Sequence, residues 1–184
     1  MLIDITLQAT LEMTKCTSDN KSLIGHVGTH FDVMDKEFPL EYTERRGIVF
    51  DVSGIRERDI DTLDIDMDRI TEGMFVAFYT GYIEQVRYGA RGYFSEHPQL
   101  SQALITALLD KGVAIIGVDC AGIRRGSEHV PVDRRCADRG AFVVENLCNL
   151  KAVLQVGGEI TVCTYPMSVA GVTGLPCRVV VKAE

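Results

Sequence analysis

No stretch of this sequence approaches the roughly 20 consecutive apolar residues that a membrane-spanning helix needs. The first fifteen residues, MLIDITLQATLEMTK, lack the basic start and apolar core of a secretory signal, so none is expected. A basic surplus is missing too: 19 Lys and Arg stand against 26 Asp and Glu, for a net charge of -7. Phosphate backbones and anionic membranes are held by clustered Lys and Arg, so neither nucleic acid nor membrane is an expected partner. There is no C-x-x-C pair. The six cysteines, Cys16, Cys120, Cys136, Cys148, Cys163 and Cys177, follow no ligand-like spacing. In a chain of this size without a signal they read as reduced, buried and inert, which places the protein in the cytoplasm. Repeats and low-complexity runs are absent, and 184 residues suit one domain, 1–184, with a core that needs no staples.

What is there is an ordinary globular composition, 46% hydrophobic and 24% charged. Short apolar alternation over residues 1–11 predicts a first strand, followed by a polar loop at 15–22. The compact runs GIVFDV (47–52), MFVAFYT (74–80) and VAIIGV (113–118) predict buried strands. The spacing of Leu100, Leu104, Ala107 and Leu108 predicts a helix over 100–111, capped by Ser101 and ended at Gly112. Residues 35–46 read as a loop or short helix, 139–154 opens with a helix or a strand, and 159–165 and 178–181 read as strands. The acids from Asp59 to Asp68 lack the glycine and the glutamate of a calcium loop and read as a solvated face. Strands alternating with helices predict an α/β or α+β class with a mixed sheet.

Chemistry gathers at H-V-G-T-H-F-D, His26 to Asp32. Two of only four histidines lie four residues apart, and an acid follows two residues later; imidazole and carboxylate are ligands that zinc and manganese accept. On a helix His26 and His30 would share a face, but Asp32 would point away. In an extended chain all three share a face, yet four residues span roughly 13 Å, too far for two imidazoles to meet one ion. The segment must therefore curl, and Gly28 is where it can. An extended entry bent at Gly28 is expected.

H-V-G-T-H-F-D resembles the H-x-G-T-H-x-D signature of the cyclase family, which includes kynurenine formamidases and isatin hydrolases. The likeness runs along the chain in order: D-I-T-L near the start, Y-T-G-Y at 79–82, H-P-Q-L-S at 97–101, G-V-D at 117–119, E-N-L-C-N-L at 145–150 and G-L-P-C-R-V-V at 174–180. The resemblance implies a swivelling β/β/α fold with a mixed sheet, kynurenine formamidase-like, in homodimers or homotetramers. It implies a divalent metal, zinc or manganese, and hydrolysis of an amide or cyclic amide of a small molecule. Carried over, His26, His30, Asp32 and Glu145 match four ligand positions.

The departures bear on how many metals are held. Kynurenine formamidases carry two, and the two further histidines they use correspond here to Lys36 and Asp133; Gly122 and Arg124 also depart from a G-x-D-x-x-S-x-D run. One metal is therefore expected, with Lys36 and Asp133 forming an ion pair where a second would sit. Glu145 is the first candidate for the proton-transferring group, Asp133 the second, and Lys36 could grip a substrate carboxylate or an oxyanion. His129, in a loop near Asp133, could reach the site, whereas His97 before Pro98 reads as part of a helix entry. A member that binds metal without catalysis, and an arylformamidase acting on N-formylkynurenine, remain open.

Overall fold

A computed structural model describes residues 1–7 and 25–183. Cys16, the continuation of the first strand to Leu11 and the loop at 15–22 lie outside the described residues. The strands are β1 (Leu2–Asp4), β2 (His30–Asp32), β3 (Glu44–Asp51), β4 (Phe75–Tyr79), β5 (Ile115–Val118), β6 (Phe142–Glu145), β7 (Ile160–Pro166) and β8 (Gly174–Ala183). The helices are α1 (Tyr82–Gln85), α2 (Gln102–Asp110), α3 (His129–Asp138) and α4 (Leu150–Val156).

Among the described residues, eight strands form one mixed sheet in the order β1-β8-β2-β6-β5-β4-β3-β7, and β7 pairs back onto β8 to close it into a barrel. Neighbours among β3, β4, β5 and β6 pair in parallel; every other pairing is antiparallel. Of the parallel strands, β4, β5 and β6 are buried along their whole length, which is why β4 and β5 are unbroken apolar runs. Val76, Phe78, Ile116 and Val143 face the core shared with α2 and α3. Phe75, Ala77, Ile115 and Val144 face a second core shared with β2, β7 and β8. Gly117 belongs inside: a Cβ there would meet Leu147 Cδ1 at 2.8 Å and Phe75 Cε1 at 3.1 Å.

The predicted helix lies at 102–110, with Ser101 Oγ accepting from Leu104 N–H and Gly112 turning the chain at φ 70°. The acids near residue 60 cap short turns: Asp61 and Asp64 make a reciprocal capping box, and Arg58 grips Asp64 with both nitrogens at 2.6 Å. The five described cysteines are free and four are buried. Among the described residues no helix is long and apolar enough to cross a membrane.

Candidate metal centre

The centre lies at the carboxyl end of β6, where parallel strands commonly present their functional groups. His30 and Asp32 are two apart on β2 and so share a face, while Phe31 between them turns into the core. The β2–β6 register sets His30 opposite Glu145, the last residue of β6. His26 reaches the same spot because the chain curls at Gly28, whose φ is 68°. Its Nδ1 lies 3.0 Å from Asp32 Oδ1, and the two imidazole centroids are 4.8 Å apart. The curl falls at the expected glycine, but the entry is not extended: residues 25 and 26 form a 3-10 turn.

A second set of donors comes from α3. His129 is its first residue and Asp133 follows one turn later, so both face inward. His129 Nε2 lies 3.3 Å from Asp133 Oδ2 and 3.6 Å from Glu145 Oε1. Glu145 presents its other oxygen, Oε2, 3.6 Å from His30 Nε2. One donor atom each from His26, His30 and Asp32 lie within 4.8 Å of one another, and the same holds for Asp32, His129, Asp133 and Glu145. Asp32 belongs to both sets.

Backbone carbonyls fix the tautomers. His30 Nδ1 is 2.9 Å from Gly28 O, and His129 Nδ1 is 3.1 Å from Arg124 O. A carbonyl only accepts, so each Nδ1 carries a proton, and in the neutral ring Nε2 then aims a lone pair at carboxylate oxygens. Lone pairs facing lone pairs need a cation between them. His30 Nε2, both oxygens of Asp32, both of Asp133 and Glu145 Oε1 are buried without a hydrogen-bond partner. Such groups are costly unless an ion satisfies them, and nitrogen with oxygen donors suits a divalent ion. Burial, then the charges of Asp32 and Asp133, push Glu145 well above the usual carboxylate range; burial and the Asp32 charge do the same to Asp133. Burial would also raise Asp32, but His26, 3.0 Å away, and the other nearby imidazoles hold it low.

Asn146, buried and at φ 57°, ties the two strands together. Its Nδ2 donates to Gly28 O at 3.0 Å, its carbonyl accepts from Thr29 Oγ1, and its Oδ1 accepts from the buried Tyr93 hydroxyl at 2.8 Å. Gly28 O thus takes both this bond and the His30 proton.

The expected ion pair between Lys36 and Asp133 is not formed. Met34 and Asp35 both adopt positive φ and turn the chain away after β2, and Arg134 pins that turn through Met34 O and Asp35 Oδ1 at 2.7 Å. Lys36, half exposed, pairs with Asp138 at 2.8 Å. The expected pairing of Lys36 with Asp133 is thereby corrected to one with Asp138, on the surface. His97 is buried with Nδ1 on Pro98 O. Arg124 is consumed by Asp59, Glu128 and Leu100 O.

The cyclase family model ("Putative cyclase") matches residues 3–124. The chain belongs to this family. No curated protein matches the chain. Among solved structures, a cyclase-family relative described as a potential metal-dependent hydrolase with cyclase activity superposes with TM-score 0.77 at 23% identity, over 98% of both chains. A predicted metal-dependent hydrolase from Bacillus stearothermophilus gives TM-score 0.77 at 22% identity, over 98% of this chain and 97% of its own. Isatin hydrolase A from Labrenzia aggregata, bound to benzyl benzoate, gives 0.71 at 21% identity, over 85% and 73%. At these identities the likeness establishes the cyclase fold, the mixed α/β barrel described above.

Proposed function

We propose that this cyclase-family chain is a metal-dependent hydrolase that cleaves the C–N bond of an amide or cyclic amide in a small molecule, releasing a carboxylate and an amine. The observation that carries the reading is the buried cluster of unpartnered donors from His30, Asp32, Asp133 and Glu145. His26, His30 and Asp32 would hold one divalent ion, and Asp32, His129, Asp133 and Glu145 a second. Zinc and manganese both suit these donors. The one-ion expectation rested on the missing histidines at 36 and 133; His129 is the reason for proposing two. Three buried carboxylates beside neutral imidazoles stay net negative with one divalent ion and become net positive with two.

Such ions supply Lewis acidity, which polarises a carbonyl and makes water acidic. The chain's own groups do the rest. Gly28 O and Arg124 O hold His30 and His129 with Nε2 free. Glu145 faces a histidine with each oxygen and acts as a holding group. Asp133 keeps Oδ1 without any partner. That oxygen takes the proton of the attacking water and returns it to the leaving nitrogen. Exposed Leu40, Tyr165, Met167 and Val169 support association into a dimer or tetramer, which light scattering tests.

The test is metal content by elemental analysis, paired with turnover of isatin, N-formylkynurenine and a simple cyclic diamide. Turnover of one of them should vanish with a chelator, return with zinc or manganese, and fall at least about 100-fold in Asp32→Ala. Loaded protein that turns over none of them would support a binding protein instead. Protein that takes up no metal would end the reading.

A further inference from the structure

We infer that Gly122 is the residue that admits His129 to the centre, and that any side chain at this position would turn a two-ion site into a one-ion site. The inference rests on the two-ion reading above and concerns what makes the second position possible. A Cβ at residue 122 would lie 2.6 Å from His129 Nδ1, 2.8 Å from its Cε1 and 2.9 Å from Arg124 O. Two of these atoms belong to the imidazole and the third is the carbonyl that fixes its tautomer. The backbone of Gly122, at φ 122°, also disfavours a side chain.

Something must move, and the loop is the part that cannot. Arg124 is anchored through its guanidinium to Asp59 at 2.5 Å, to Leu100 O at 2.9 Å and to Glu128 at 3.1 Å. Ile123 O accepts from Leu100 N–H at 3.0 Å, and Gly122 O accepts from the buried Cys120 thiol at 3.4 Å. Asp119, on the other side, is held by Thr80 and Gly81. The His129 side chain is 28% exposed, so the ring has solvent to swing into. Once it swings, Nε2 leaves Asp133 and Glu145, and the second position keeps carboxylates alone. The first position draws on His26, His30 and Asp32, none of which supplies the atoms nearest a Cβ at 122.

The experiment titrates zinc into chelator-stripped wild type, Gly122→Ala, His129→Gln and the double variant, reading equivalents bound and the affinity of each. Wild type should bind two equivalents. Each single variant should keep the first and weaken the second by about 10- to 100-fold. The double variant should be no weaker than the worse single, because both changes remove one interaction. The spectrum of cobalt in the first position reports whether Gly122→Ala is folded, and His129→Gln tests the ligand without touching the loop. Two tight equivalents in wild type and in both single variants would overturn the inference and leave the two-ion reading standing. One equivalent in wild type would overturn both, and none would remove the metal reading itself.

Discussion

Asp119 and His97 are both buried, and acid affects them in opposite directions. Asp119 accepts from Thr80 N–H, the Thr80 hydroxyl and Gly81 N–H, tying the end of β4 to the end of β5. Burial nevertheless lifts it to about 6, since those bonds only partly offset the loss of water. Its folded pKa therefore lies above the unfolded value, so its favourable contribution is complete below about 4 and lost as pH rises through 6. Burial takes His97 down to about 4. Its contribution is complete above 6.5 and is lost as pH falls through 4. Each is worth on the order of 3 kcal/mol, and between pH 4 and 6 they largely cancel. Single variants unmask them. Asp119→Asn should lose stability on acidification from pH 7 to 4 more steeply than wild type, and His97→Gln should lose it less steeply or gain. Urea unfolding across that range reads the slopes; variants that both run parallel to wild type would show that neither group titrates as described.

The junction of β2 and β6 is where elements become a centre. Asn146 holds Gly28 O in the place that orients His30, and the Tyr93 hydroxyl holds Asn146. Tyr93→Phe deletes only that hydroxyl, and Asn146→Asp keeps the shape but turns the donor toward Gly28 O into an acceptor. Both should weaken the first metal equivalent, Asn146→Asp by about 10- to 100-fold and Tyr93→Phe by less. A purely structural role would lower the melting temperature of metal-free protein and leave the affinity alone. The same comparison marks what was legible in the sequence. β4, β5 and α2 stand out because unbroken apolar runs or a single apolar stripe end at glycines and a serine cap. α3 did not stand out. Its run, HVPVDRRCAD, carries Pro131 in the first turn and turns Asp133 inward where an apolar residue would have shown helical period. A polar residue on the buried face breaks the pattern at the point where it serves the site, so His129 read as a loop residue. β8 reaches 174–183 rather than 178–181 because pairing extends it: β7, its neighbour in sequence, runs along most of its length, and β1 and β2, from the distant amino-terminal part of the chain, pair with shorter stretches.

At the scale of the molecule, barrel closure brings residues more than 100 positions apart into one acidic cluster, as the pairing of His30 with Glu145 illustrates. No local pattern encodes that meeting, and without cations it works against the fold. Asp32, Asp133 and Glu145 sit together in low dielectric, and burial with mutual repulsion keeps Asp133 and Glu145 reluctant to ionise. An ion that binds the folded chain and not the unfolded one repays this cost by mass action. At free metal 100 times Kd the gain is about 2.7 kcal/mol per site. A domain of this size gains about 2–4 °C per kcal/mol, so one filled site should raise the melting temperature by roughly 5–10 °C and a second should add to it. Thermal scans of chelator-stripped protein with increasing zinc or manganese measure this. The shift should shrink on acidification, because the imidazole and carboxylate donors must be unprotonated to bind. It should be halved in His129→Gln, which keeps one set of donors, and nearly abolished in Asp32→Ala, which removes the carboxylate common to both. A melting temperature indifferent to metal at neutral pH would mean that the buried carboxylates are balanced by protons.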